Sequence, residues 1–202
     1  MSEEAIVKGL LFSISGPSGV GKNTVISAVR EVFPEFKHSV SVTSRKPRPL
    51  ADGTMEQDGV QYYFRTREEF LKMVEDGDIL EYDEFAGNLY GTPAAPLKNM
   101  RDAGQDVLLD LTIAGSIALE EKFDEEAVTI FLAPPSLEAL RQRLEGRGSE
   151  TQEVVERRLA QAEAEIAQSD KFDYVVINDD LSKAVDTVCD IIRQEIAKQK
   201  SK

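Results

Sequence analysis

The stretch Leu10-Leu11-Phe12-Ser13-Ile14-Ser15-Gly16-Pro17-Ser18-Gly19-Val20-Gly21-Lys22-Asn23-Thr24-Val25-Ile26-Ser27-Ala28-Val29-Arg30 decides the fold. It opens as an apolar run of strand character and closes with Val25, Ile26, Ala28 and Val29 at helical spacing, and Gly16, Gly19 and Gly21 fall between the two. Strand, glycine loop and helix in that order form the setting of a phosphate site. Glycines let the backbone wrap an anion with successive N–H groups turned inward, and the helix N-terminus adds partial positive charge. A tight glycine-rich turn would share the glycines but has no reason to present Lys22 just after them, where it reaches the outer phosphates of a nucleotide. The candidate phosphate-binding residues are therefore Gly16, Pro17, Ser18, Gly19, Val20, Gly21, Lys22, Asn23 and Thr24. A hydroxyl usually follows the lysine of such a loop and helps to hold Mg²⁺. Here Asn23 follows it and the hydroxyl arrives at Thr24, so either residue is a candidate ligand for the ion.

The whole chain narrows the partners. Its 202 residues suit a single domain with insertions, and 41% apolar content is enough for a core. A net charge of −13 argues against nucleic acid as the main partner, because phosphate backbones call for basic surface. A phosphorylated ligand must therefore be small and met by a local group of arginines. The single Cys189 excludes an internal disulfide and, in an apolar helical pattern, reads as a core thiol. With His38 as the only histidine, neither a histidine metal site nor a catalytic triad is expected. No apolar run approaches the ~18 residues of a membrane span, and no signal-peptide pattern is present. A cytoplasmic protein is expected.

Outward from the loop, residues 39–43 alternate as a strand and run into the basic Ser44-Arg45-Lys46-Pro47-Arg48-Pro49. In an acidic chain with a phosphate loop, that cluster is the natural seat of a second phosphate. Residues 59–64 read as a strand, and Thr66 to Glu69 is a capping box that opens a helix to about residue 75. Short extended pieces follow at 79–82 and 85–89, and Tyr90-Gly91-Thr92-Pro93 starts the next helix. Residues 106–111 and 127–133 are apolar strands, the second continuous enough to be buried on both faces. Helices follow at 136–144 and about 151–168, then a strand at 174–177 and a last helix from 181. Apolar strands alternating with helices predict an α/β fold, a mainly parallel sheet flanked by helices, with the ligand at the carboxyl ends of the strands. The interruption between 59 and 93 predicts an inserted subdomain. The arginine-rich segment 141–158, hinged at 146–148, has the character of a lid.

In order along the chain, Gly16 to Lys22, Ser41 to Arg48, Gly59 to Tyr62, Leu80-Glu81, Gly87 to Thr92, Ala133 to Ser136, Arg143 to Gly148, Arg158-Leu159 and Asn178 to Asp180 resemble the guanylate kinases. The resemblance runs from about Leu10 to Ile196. It implies a P-loop kinase that moves the γ-phosphoryl of ATP to GMP with Mg²⁺, with no nucleic-acid or membrane partner. It further implies that Lys22, Arg45, Arg143, Arg147 and Arg158 serve catalysis, and that Asn178 joins the loop in holding ATP. Ser41, Arg45, Arg48, Tyr62, Glu81, Tyr90, Thr92 and Asp110 would hold GMP. The expected division is a core at about 8–40, 94–140 and 170–198, a GMP-binding subdomain at about 41–93 and a lid at about 141–169. The chemistry of Glu81 agrees. Guanine presents two adjacent N–H donors that a carboxylate accepts together, whereas adenine presents an acceptor that the carboxylate repels.

The chain departs from the family pattern in several places. Ser44 stands where a threonine is usual, the loop between Arg48 and Gly59 is longer, Thr112 replaces a second acidic residue, and Ala114 a frequent glutamine. Two alternatives stand beside an active enzyme. The first is a silent phosphopeptide-binding module of the same fold, which has no physical reason to keep the Gly-Lys loop. The second is a related P-loop kinase with another small phosphorylated acceptor, which would gain nothing from a carboxylate at 81.

Overall fold

Ser13 and Ser15 are buried along with every apolar residue of the first strand, β1 (Leu11–Ser15), because the strand lies in the middle of a sheet covered on both sides. The computed structural model describes residues 7–50, 52–85, 87–145 and 151–201. After β1 come helix α1 (Lys22–Val32), strands β2 (Val42–Thr43) and β3 (Tyr63–Phe64), helix α2 (Arg67–Glu75), strands β4 (Ile79–Phe85) and β5 (Asn88–Pro93) and helix α3 (Ala94–Asp102). Then follow β6 (Val107–Asp110), α4 (Ile113–Phe123), β7 (Ala127–Ala133), α5 (Leu137–Glu145), α6 (Gln152–Ile166), β8 (Tyr174–Ile177) and α7 (Leu181–Lys200).

The core sheet runs β6-β1-β7-β8, and every neighbouring pair is parallel. Phe12, Ile14, Ile130, Leu132 and Val176 face one side and pack with Val25, Val29, Val188 and Ile192 of α1 and α7. Leu11, Leu109 and Leu111 face the other side and pack with Leu119 of α4. Cys189 belongs to the first cluster, and burial pushes its thiol up from the usual value, as suits a core group. The chain leaves β1 first toward β6 and later toward β7. This order reversal opens a crevice at the carboxyl end of β1, the position where open α/β sheets take ligands. Among the described residues no helix is long and apolar enough to cross a membrane.

A second sheet, β3-β2-β5-β4, lies within residues 42–93. Phe70 of α2, Val42 and Leu89 form its small core, and the capping box predicted at Thr66 and Glu69 is present. Several elements differ from the sequence reading, and the strand expected at 39–43 is reduced to Val42–Thr43. The strand at 59–64 is reduced to Tyr63–Phe64, because Gly59 turns at φ 77° and Asp58 Oδ1 accepts the Phe64 N–H at 2.6 Å. Residues 90–93 extend β5 instead of starting a helix. Gly91 lies flat between β2 and β4, where a Cβ would come within 2.7 Å of the Glu81 carbonyl oxygen, and α3 begins only after Pro93. Residues 113–123, to which the sequence pattern assigns no element, form α4, capped by the Thr112 hydroxyl.

Candidate active site

Gly16, Gly19 and Gly21 adopt φ 157°, 91° and 98°, and each lies against a wall that leaves no room for a side chain. A Cβ on Gly16 would meet the Leu132 carbonyl oxygen at 2.3 Å, one on Gly19 the Leu144 side chain at 2.7 Å, and one on Gly21 the Asn178 amide at 2.8 Å. The loop is therefore clamped between β7, α5 and the end of β8. Asn178 is buried and donates from Nδ2 to the Val20 carbonyl at 2.8 Å, while its backbone N–H reaches Ala133. Its side chain thus shapes the loop. Asn23 and Thr24 are exposed on the first turn of α1, with Ser18 at the loop's outer edge.

Lys22 extends to the end of β6. Its Nζ lies 2.7 Å from Asp110 Oδ1 and donates to the Leu111 carbonyl at 3.1 Å. The same segment is pinned to β1 by the buried Ser15, whose Oγ lies 2.7 Å from the Leu111 carbonyl, 2.9 Å from that of Thr112 and 2.8 Å from Ser116 Oγ. The next residue, Thr112, meets Glu81 of β4. Its backbone N–H donates to Glu81 Oε2 at 2.8 Å and its hydroxyl makes a close contact with the same oxygen. Thr92, paired with Glu81 across the hairpin, makes a long contact of 3.4 Å to Oε1. Asp110, Leu111 and Thr112 therefore join the lysine of the phosphate loop to the carboxylate of the second sheet.

Arg45 is nearly buried and forms a two-pronged pair with Glu56, Nη1 to Oε2 at 2.8 Å and Nη2 to Oε1 at 2.9 Å. Glu56 also accepts the Arg48 backbone N–H at 2.8 Å. The Arg45 guanidinium lies 5.3 Å from the centre of the Tyr62 ring, and Tyr62 meets Tyr90 edge-on at 5.9 Å. This hydrogen-bonded pair holds the Glu56 carboxyl below its usual range and the Arg45 guanidinium above its own. Arg48 projects into solvent, and Ser41, half buried, accepts the Tyr63 N–H on its carbonyl at 2.8 Å. Two-pronged contact and aromatic stacking are the geometry in which arginine recognises planar or tetrahedral oxyanions.

Helices α5 and α6 form a separate layer held by Leu140, Leu144, Val155, Leu159 and Ala162. Arg141 braces them through Glu156 at 2.6 Å. Arg143 donates to the Val20 carbonyl at 3.3 Å and the Asn178 carbonyl at 2.7 Å, and Arg158 reaches Ser18 Oγ at 2.6 Å. Arg147 and the hinge expected at 146–148 lie outside the described residues. Of the residues singled out from sequence, the structure brings Lys22, Asp110, Arg143, Arg158 and Asn178 around the loop. It gathers Arg45, Tyr62 and Tyr90 in the second sheet and joins Glu81 to Thr92. Sequence reasoning missed Ser15, Glu56 and the contact of Thr112 with Glu81. For Glu56 a signal existed, as one of only two acidic residues between Arg48 and Asp58.

A clamped glycine loop at the turning point of a parallel sheet, its lysine at the strand ends and arginines on a separate helical layer, defines a P-loop phosphotransferase. The family model described as guanylate kinase matches residues 9–195. A guanylate kinase of Lactobacillus delbrueckii subsp. bulgaricus is 50% identical over 190 residues, 93% of this chain and 90% of that one. One from a Synechococcus species is 47% identical over 178 residues, 88% of this chain and 79% of that one. The crystal structure of guanylate kinase from Anaplasma phagocytophilum superposes with a TM-score of 0.63 at 34% identity, covering 94% of this chain and 87% of that one. The chain belongs to the guanylate kinase family. It is an ATP-dependent kinase that phosphorylates GMP.

Proposed function

We propose that the phosphate loop and Lys22 hold ATP, that the second sheet holds GMP, and that helices α5 and α6 close over the transferring phosphoryl group. The observation that carries this division is the junction at Asp110 to Thr112, which touches Lys22 on one side and Glu81 on the other. In this reading Lys22 exchanges the carboxylate of Asp110 for the outer phosphates of ATP, and Arg45 gives up part of its pairing with Glu56 to the phosphate of GMP. Arg48, Tyr62 and Tyr90 complete that phosphate seat, while Ser41, Glu81 and Thr92 face the base. Asp110 stands between the two nucleotides. Asn178 contributes by fixing the Val20 carbonyl, so that the loop's N–H groups stay aimed inward.

The acceptor phosphate has a second pKa of about 6 and is already largely ionised at neutral pH. One of its oxygens attacks the γ-phosphorus, the bond to the β–γ bridging oxygen breaks, and the electron pair leaves on ADP. No side chain needs to remove a proton, so alignment and charge neutralisation are the whole task. Arg143 and Arg158 lie within one side-chain length of the loop, and with Arg147 they supply the charge that follows the phosphoryl group.

A Mg²⁺ ion fits the donors at the first turn of α1, because Asn23 and Thr24 offer exposed hard oxygen ligands. Bound there, the ion would neutralise charge on the β- and γ-phosphates. The cytoplasm, where ATP is held, is the proposed setting. Offering GMP, AMP, CMP, UMP and dTMP separately with ATP tests the assignment: ADP should form fast with GMP alone, and equal rates with AMP would overturn it.

A further inference from the structure

Glu81 lies on the second sheet, yet two of its hydrogen bonds come from the core. Oε2 receives the Thr112 backbone N–H at 2.8 Å and touches the Thr112 hydroxyl as well. That hydroxyl is the cap of α4 and accepts the Gly115 N–H at 3.1 Å. With a lone pair committed to Gly115, the hydroxyl turns its proton toward Glu81, and an ionised carboxylate can only accept. The positive end of the α4 dipole lies behind the same oxygen. Gly115 makes the approach possible, since a Cβ there would come within 2.3 Å of Glu81 Oε2. A glycine that clears the space, an N–H and a hydroxyl thus converge on one carboxylate oxygen from another structural unit.

From this convergence we infer that Thr112 is the positioning residue of base recognition: it fixes the Glu81 carboxylate against α4, so that the acceptor base meets a pre-set pair of oxygens. A freely turning glutamate would lose rotamer freedom each time the base bound, and a tethered one has lost it beforehand. The inference rests on the reading of Glu81 as the residue that faces the guanine. It adds that the selectivity of the acceptor site is set partly from the core, by a hydroxyl at the place where Thr112 stands. A valine at 112 keeps the size and the backbone N–H but removes the hydroxyl from both the tether and the cap. Serine keeps the hydroxyl.

The test is steady-state kinetics with GMP and ATP varied separately, alongside melting temperatures, for Thr112→Val, Thr112→Ser, Glu81→Gln and the Thr112→Val/Glu81→Gln double variant. Thr112→Val should raise KM for GMP about tenfold, the scale of one lost hydrogen bond to a charged group, and leave KM for ATP within about twofold. Thr112→Ser should restore the parent value. In the Glu81→Gln background the valine should add less than about twofold, because the tether then has no charge to hold. If Thr112→Val folds poorly, Thr112→Gly serves the same comparison, since glycine at a cap costs the helix little. An unchanged KM for GMP in Thr112→Val, with Glu81→Gln impaired, overturns the role of Thr112 and leaves the reading of Glu81 standing. Equal losses for ATP and GMP, or a full effect in the double variant, reduce Thr112 to a helix cap and also overturn it. A Glu81→Gln enzyme with normal GMP kinetics removes the reading of Glu81 and this inference with it.

Discussion

Lys22 rests 2.7 Å from Asp110 at the solvent-facing end of β6, where the carboxylate side chain is 42% exposed. Removing the lysine therefore strands no buried charge, and the fold should survive. Lys22→Ala is expected to lower kcat by about 10²–10³-fold, the cost of one missing electrophilic group at a developing charge. Single-turnover rates checked against an unchanged circular dichroism spectrum measure this; near-normal turnover would remove the lysine from the chemistry. Glu56 makes a prediction of a different kind. Its carboxyl is held below the usual range, first by its hydrogen bond with Arg45. A depressed carboxylate contributes stability that is fully present above its unfolded value of ~4.3 and is lost as pH falls through the folded value. The melting-temperature difference between the parent and Glu56→Gln should accordingly be constant from about pH 6 to 8 and shrink below about pH 4.5. A difference that persists unchanged into stronger acid would mean that the pair contributes nothing through its charge.

Among the elements, the phosphate loop is the one most dependent on its neighbours. Gly19 at φ 91° faces Leu144 of α5, so Gly19→Ala both strains the backbone and pushes the helical layer outward. Such strain costs about 1–3 kcal/mol, which should weaken ATP binding by about tenfold to a hundredfold. GMP binding should stay close to parental, because the side chains nearest this glycine, Leu140 and Leu144, belong to α5. Calorimetry on both nucleotides checks this, and equal losses would show that the loop serves both sites. The loop was legible because its glycines, lysine, apolar strand and apolar helix all signal locally. Helix α4 was not, because Ile113-Ala114-Gly115-Ser116-Ile117 mixes small and apolar residues without a stripe, and its face is defined only once Leu119 and Phe123 meet the sheet. Residues 90–93 misled for a related reason. Gly91 and Pro93 look like the start of a helix in isolation, and only the neighbouring strands turn them into a ladder.

At the scale of the molecule, the parallel sheet and its helices followed from alternating apolar runs, while the break in that alternation marked an insertion without showing its sheet order. What the sequence could not carry was how the parts touch. Nothing local to Glu81 announces Thr112, which lies 31 residues away, and nothing local to Arg45 singles out Glu56 as its partner. Such contacts depend on the angle at which the second sheet leans on the core, a property of the packed chain. We propose that this arrangement reads guanine through Glu81 while phosphate is delivered from the opposite side. The most direct test is the ratio of kcat/KM for GMP to that for AMP in the parent and in Glu81→Gln. Glutamine replaces one accepting oxygen with an NH₂ that faces a guanine donor, a loss of roughly 1–3 kcal/mol or more where charge is involved. Efficiency with GMP should fall by about tenfold to several hundredfold, the ratio should narrow, and KM for ATP should hardly move. A Glu81→Gln enzyme that phosphorylates GMP as well as the parent, with the ratio unchanged, would contradict the account.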